Sequence, residues 1–399
     1  MHKDQTLLTR RGALLGLGAA VALGRASLAM AAAPTDRRFV VVILRGALDG
    51  MAAVVPYGDA ALAQLRPELL PPAPGQDGGL LDLGGFYGLH PALTGLHGLY
   101  KAGQMLPVHA VAGPARTRSH FEAQDLMESG ADQRLSSGWL NRAVLGMAGR
   151  PTSGAPISIG VALPLLLRGP ALVGSYAPQS FSQPQPDLYA RLAALHRADP
   201  VTGPAIRQGL AERGFTTAQL AGTEPPSPQD RYAFATLAGT AGRLLAAPDG
   251  PRIAAMELGG WDTHAAQAAR LAGPLHQLDA GLLALRDGLG EAWAQTAILV
   301  MTEFGRTVRA NGTGGTDHGT GTVAFVAGGA VAGGRVLADW PGLAPAQLLD
   351  GRDLRPTADL RAVAKGLLAA HLGLNAPALL RAFPGSEAAA PMGRLIRAA

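Results

Sequence analysis

"RRFVVVILRGALDG", residues 37–50, decides the fold. From Phe39 to Leu44 every side chain is apolar and several are β-branched, so neither face of a strand here is left for water. Such a run reads as a strand buried on both sides, as in a parallel sheet, and the glycines that follow close it with a turn. The stretches "MLPVHAVAG" (105–113), "PRIAAMELGG" (251–260), "TAILVMTEFG" (296–305) and "TVAFVAGG" (322–329) have the same character. Helical patterns lie between several of them. "HPALTGLHGLYKAG" (90–103) has Pro91 in a first turn and Gly103 at its end, 264–289 carries leucines at helical intervals, and 228–247 also reads as helix. The alternation predicts an α/β fold, with a mostly parallel central sheet and helices on both faces.

The chain has 399 residues, 48% of them hydrophobic and 16% charged, which suffices for one large core without any low-complexity or repeat character. Residues 150–227 are rich in proline and polar turns and read as an insertion or cap. No linker separates this segment from the rest, so 36–385 is expected to form a single elaborated domain, followed by a tail over 386–399.

The amino end reads as an export signal. Arg10 and Arg11 form a twin-arginine pair, an apolar stretch from about Gly12 to Leu23 follows, and Ala29-Met30-Ala31 offers a small-residue cleavage pattern. The alternative is a buried amino-terminal helix. Residues 1–31 are therefore expected to direct the protein to the periplasm or outside the cell by the twin-arginine route. Their removal takes away four cations and one anion, Asp4, so the formal charge of +5 falls to +2. Without a basic stripe or interleaved aromatics, nucleic acid is not an expected partner, and the mature chain has no second apolar span for a membrane. With no cysteine, a bound metal must be held by oxygen and nitrogen.

In parallel sheets, ligands gather beyond the carboxyl ends of the strands, where loops project side chains into a common crevice. Asp49 follows the first strand, Asp262 and His264 follow "IAAMELGGW", Glu303 ends "AILVM", and Asp317 and His318 sit in "GTGGTDHGTG" (312–321). Carboxylates and imidazoles in this setting suit a divalent ion, with zinc or manganese favoured over magnesium or calcium. The glycines around Asp317 and His318 are expected to let these neighbours converge, although an ordinary turn would have the same composition. Glu303 fits a ligand, a general base, or a carboxylate orienting a ligand histidine, beside a plain ion pair with Arg306. Arg306 and Arg118 are candidates for holding an anionic substrate. Ser119 and Glu122 form a capping-box pattern, and a serine at a helix start can equally serve as nucleophile or ligand. His120 either reaches the same crevice as a catalytic group or packs in the first helical turn, and His90 is a weaker candidate.

The set "ILRGALDG", "VVPYGD", "LHPAL", "RSHFEAQDLMESG", "GWLNR", "GGWDTH", "TEFGRT" and "NGTGGTDHG", in this order, resembles the exported bacterial family catalogued as domain of unknown function 1501. More distantly it resembles the alkaline phosphatase and sulfatase superfamily. That likeness implies an α/β sandwich and metal-dependent hydrolysis of phosphate or sulfate esters. By position it implies that Asp49 is the first-strand ligand, Ser119 the nucleophile, Asp317 and His318 holders of one metal, and Asp262 and His264 holders of another. The superfamily also uses a later histidine, and the only one after His318 is His371, inside a predicted helix. Ala47-Leu48 stands where a glycine and a small residue are common, and Thr302 replaces a frequent serine.

Two functions follow. One is an exported metal-dependent hydrolase of an anionic ester. The other is an inactive, metal-stabilised binding or assembly protein of the same fold, which the incomplete histidine set favours. The natural substrate, the number of ions and any protein partners stay open.

Overall fold

The computed structural model describes residues 36–147, 154–178, 186–199 and 233–398, and between these last two spans residues 203, 206, 210, 215–220, 227 and 229–231. The expected export signal lies outside the described residues.

Eight strands form the main sheet. In chain order they are β1 (Arg38–Leu44), β2 (Met105–Ala112), β3 (Ile157–Ile159), β4 (Gly174–Tyr176), β5 (Ile253–Leu258), β6 (Thr296–Thr302), β7 (Thr322–Ala327) and β8 (Ala358–Asp359). They lie side by side as β8-β2-β7-β6-β1-β5-β3-β4. β1 is central, with Val42 opposite Met256 of β5 and Val300 of β6, and all seven of its residues are buried. The helices used below are α1 (Thr94–Lys101), α2 (His120–Ser129), α3 (Trp139–Leu145), α4 (Phe234–Ala246), α5 (Gln267–Leu289), α6 (Leu360–Leu372) and α7 (Ala376–Ala382).

Strand alternation sends Val40 and Val42 to one face, against Leu96 of α1, Leu244 of α4 and Leu278 of α5. Phe39, Val41 and Ile43 face the other side, against Trp139 of α3, Leu367 of α6 and Leu379 of α7. Each side chain of this size stabilises the fold by about 1.5–3 kcal/mol when fully buried, so the first strand anchors both layers. The α/β class is as expected, with helices on both faces.

One strand runs against its sequence-based expectation. β7 is antiparallel to both neighbours, β6 and β2, while every other pairing in the sheet is parallel. Its apolar composition is that of any buried strand; its direction is set by the connection. Residues 303–321 contain no helix to carry the chain back across the sheet, so the chain turns and returns beside β6. The consequence matters for the site: the whole 303–321 loop stays at the carboxyl ends of the parallel strands.

Within 150–227, β3 and β4 extend the sheet at one edge and a helix spans Pro186–Leu195. The segment 386–398 lies along the domain, with Met392 N–H donating to Ala362 O, Arg397 N–H to Ala330 O, and Leu395 buried. Among the described residues, no helix is long and apolar enough to cross a membrane.

Candidate metal centre

Four strand ends feed one place. β2 leads to Arg118 and His120, β5 to Asp262 and His264, and β6 to Glu303 and Arg306; the return toward β7 brings Asp317 and His318. The turn after β1 closes the floor. Gly46 there has φ +119°, and a Cβ on it would stand 2.8 Å from the backbone nitrogen of Asp262, so only glycine lets the two loops pass this closely. Ala47 follows at φ +63°, in the left-handed region, which accounts for the glycine common at this position.

The imidazoles of His120, His264 and His318 turn their Nε2 atoms toward one another. His318 Nε2 lies 3.0 Å from His120 Nε2 and 2.9 Å from His264 Nε2. Asp262 joins them: its Oδ1 is 3.0 Å from His264 Nε2 and 3.4 Å from His318 Nε2, and its Oδ2 is 3.7 Å from His120 Nε2. His120, Asp262 and His318 each offer a ligand atom within 4.8 Å of the others.

The opposite nitrogens fix the tautomers. His120 Nδ1 donates to Glu303 Oε1 at 2.8 Å and His318 Nδ1 to the Arg118 carbonyl at 2.8 Å. His264 Nδ1 faces Asp317 Oδ1 at 3.4 Å, a looser contact. For His120 and His318 the acceptor at Nδ1 favours the proton there and leaves the Nε2 lone pair directed into the cluster, while His264 meets a carboxylate at both nitrogens. Lone pairs and a carboxylate aimed at one place repel one another unless a cation lies between them. Two nitrogens bound to one zinc ion at about 2.1 Å and a tetrahedral angle stand about 3.4 Å apart. The observed separations of 2.9–3.7 Å bracket that value, so the donor set fits a divalent cation.

The electrostatics point the same way. Burial lowers the pKa of His318 and the nearby Arg306 charge lowers it further, against the Arg118 carbonyl, so the neutral imidazole is favoured. Burial opposes the charge on Asp262, but the Arg306 hydrogen bond and charge more than offset it and hold the carboxyl below its ordinary value. Glu303 is also held low: burial raises it, and hydrogen bonds from His120 and Gln124 prevail.

Glu303 is an orienting carboxylate. Its Oε1 accepts from Gly46 N–H at 2.9 Å and Gln124 Nε2 at 2.9 Å as well as from His120, and its Oε2 takes the Thr302 hydroxyl at 2.8 Å. With both oxygens engaged, Glu303 fixes the ligand histidine from behind. His120, expected as a catalytic group, stands among the candidate ligands instead.

Other expected site residues lie elsewhere. Asp49 is fully buried; its Oδ1 accepts from Met51 and Ala52 N–H, and its Oδ2 is 2.8 Å from Arg66 and 2.7 Å from Gln267 Nε2. This capping and ion-paired carboxylate supports the loops and does not join the cluster. Arg306 is also fully buried, and its donors go to Ala47 O, Gly46 O, Trp261 O, Thr316 O and Asp262 Oδ1. Fully buried and engaged on all three nitrogens, Arg306 orients Asp262. Arg118 is half-exposed, 3.6 Å from Asp353.

Asp317 and His318 do not converge. Arg306 and His318 form an antiparallel bridge, and in extended backbone neighbouring side chains point to opposite faces. The two residues clasp His264 between them, His318 at its Nε2 and Asp317 at its Nδ1. Asn311 Nδ2 donates to Asp317 Oδ1 at 3.1 Å and, ahead of the opposing effect of burial, lowers its pKa. The surrounding glycines serve close approach: a Cβ on Gly315 would lie 2.2 Å from the His264 backbone.

Ser119 caps α2 by position, but its side chain makes no capping hydrogen bond and it is exposed, so the capping-box pattern is not realised. His90 is away from the cluster, its Nδ1 accepting from Ala92 N–H. His371 is buried at the other edge of the sheet, its Nε2 donating to Arg38 O at 2.9 Å.

Reading the sequence missed Gln124, Gln267, Thr263 and Thr316, which support the cluster from behind. The two threonines adjoin aspartates in "GGWDTH" and "GTDHG"; the glutamines carry no local signal.

Residues 102–379, which include His120, Asp262, His264 and His318, match the family described as "Protein of unknown function (DUF1501)". No curated protein matches the chain. Among solved structures, the chain is similar to a phosphonate monoester hydrolase of Agrobacterium radiobacter, with 14% identity, coverage of 85% of this chain and 74% of that one, and a TM-score of 0.33.

Proposed function

With membership of the chain in the DUF1501 family as premise, we propose that the protein is an exported, metal-dependent hydrolase of an anionic ester of the phosphate or sulfate class. The observation that carries this reading is the meeting of three Nε2 atoms and the Asp262 carboxylate while the Nδ1 atoms face acceptors. His120, His318 and Asp262, with His264 beside them, would hold the cation. Nitrogen-rich donors favour zinc or manganese over magnesium or calcium. A cation held there supplies positive charge for the negative charge that develops on ester oxygens, and favours ionisation of a hydroxyl.

The chain's own groups do the rest. Asp262 and His264 leave nearly half of their side chains exposed, so the substrate enters from that side. Arg306 and Glu303 hold Asp262 and His120 in place from the buried side. Ser119, whose hydroxyl carries no capping bond and which precedes His120, is the candidate nucleophile. The twin-arginine pair Arg10 and Arg11 supports the reading of this chemistry as periplasmic or outside the cell.

A second reading, a metal-stabilised binding or assembly protein without turnover, draws on one observation: Arg306 and Arg118 are both engaged by protein carboxylates. Metal analysis of the purified protein, followed by assays on a phosphomonoester, a phosphodiester and a sulfate ester, separates the two. The hydrolase reading expects a bound divalent metal and turnover, both lost in His318→Ala, with metal kept and turnover lost in Ser119→Ala. Turnover surviving in Ser119→Ala would transfer the attack to water. Metal-loaded protein inert toward all three esters would leave the second reading.

A further inference from the structure

We infer that Gln267 is the positioning residue that locks the two ligand-bearing loops into one geometry, acting through the hydroxyls of Thr263 and Thr316. This rests on the metal-centre reading above and deepens it. Gln267 opens α5 and is buried. Its Oε1 accepts from Thr263 Oγ1 at 2.8 Å and from Thr316 Oγ1 at 2.6 Å, and its Nε2 donates to Asp49 Oδ2 at 2.7 Å. Thr263 sits between Asp262 and His264, and Thr316 immediately before Asp317 and His318. One amide oxygen therefore gathers a hydroxyl from each loop that supplies ligands.

The amide has one permitted orientation. Asp49 is an acceptor held by Arg66 and by two backbone N–H groups, so it demands the Nε2 end of Gln267 and leaves Oε1 for the hydroxyls. The backbone reinforces the arrangement. Gln267 N–H donates to Gly314 O at 2.8 Å, Ala266 N–H to Thr313 O at 3.0 Å, and Thr316 N–H to Thr263 O at 3.2 Å. Asp49, displaced from the ligand set, thus acts on the cluster from a distance, through Gln267.

Ligand atoms must be held to within roughly half an ångström of their working positions, and losing a supporting hydrogen bond of this kind typically costs tenfold to a hundredfold in metal affinity. Valine fills nearly the same space as threonine without the hydroxyl; serine keeps the hydroxyl with less bulk. The test is Zn2+ affinity of the full chain, measured by competition with a chromogenic chelator, alongside the thermal midpoint of the metal-free protein. Thr263→Val and Thr316→Val are each expected to weaken Zn2+ binding about tenfold or more, and the serine variants to stay near wild type. Because both hydroxyls act on one oxygen, the double valine variant is expected to lose less than the product of the single losses.

Valine variants that melt earlier yet bind Zn2+ like wild type would overturn the inference and leave the metal centre standing. Serine variants as weak as the valine ones would overturn it too. If wild type itself takes up no Zn2+ or Mn2+, the metal-centre reading fails and this inference with it. Should one valine variant not fold, the other position decides, since each hydroxyl bonds Gln267 directly.

Discussion

Histidines at the carboxyl edge of the sheet and histidines in its packed regions meet opposite fates. His109 is fully buried, its Nε2 donating to Val54 O at 2.9 Å while its Nδ1 accepts from Ala110 N–H at 2.8 Å. His371 sits at the amino edge with Nε2 on Arg38 O. Burial pushes both down to a pKa of about 4. At the carboxyl edge the order is reversed for His120 and His318: Nδ1 faces the close acceptor and Nε2 is turned toward other imidazoles. Residue type is shared by ligands and packing groups. What separates them is which ring nitrogen finds an acceptor in the fold.

The largest effect expected on this contrast comes from Arg306→Met. The side chain fits the space, but Asp262 and four carbonyls lose their donor, and each buried acceptor left unsatisfied costs about 1–3 kcal/mol. Urea unfolding should show that loss together with weakened metal binding, since Asp262 loses its anchor. A variant as stable as wild type would contradict the buried, supporting role of Arg306.

Next comes acid. The unfolded chain protonates His109 and His371 near the ordinary histidine value, while the folded state resists until about 4. Between these values the unfolded state binds more protons, so the contribution is complete above about pH 6.5 and is lost as pH falls toward 4. Each group contributes up to about 3 kcal/mol over that window. Unfolding midpoints that stay level from pH 7 to 5 would remove this half of the contrast, and His371→Asn should flatten the slope.

Much of the sheet was legible because its strands are long apolar runs, and runs like residues 39–44 have few other interpretations. The direction of β7 was not, since a buried strand looks alike in either sense and only the helix-free 303–321 connection decides. At the site, Asp262, His264 and His318 were legible from their places after strands. Asp49 and Asp317 carry the same signal but point elsewhere, and a position after a strand does not say which way a side chain leaves it. Arg306 was misread for a related reason. The carbonyls that engage it belong to residues 46, 47, 261 and 316, and no local pattern announces so dispersed a set.

A smaller effect sharpens the contrast at one histidine. Glu303→Gln keeps the shape and can still accept from His120 Nδ1, but it removes the charge that favours the proton there. Outer carboxylates of this type are worth about tenfold to a hundredfold in metal affinity, so Zn2+ binding is expected to weaken within that range with the fold intact. Unchanged affinity would mean that the tautomer of His120 is set without Glu303.

The smallest expected effect falls on Ser119. A serine whose side chain caps a helix contributes about 1 kcal/mol, and its replacement by alanine would be felt in stability. Here the hydroxyl makes no such bond, so Ser119→Ala should leave the unfolding free energy within about 0.5 kcal/mol of wild type and metal binding untouched. A loss near 1 kcal/mol would restore the capping role and weaken the case for a hydroxyl free to react. Stability and metal affinity both at wild-type level, with ester turnover abolished, would assign the side chain to chemistry, because no structural function would remain for it to lose.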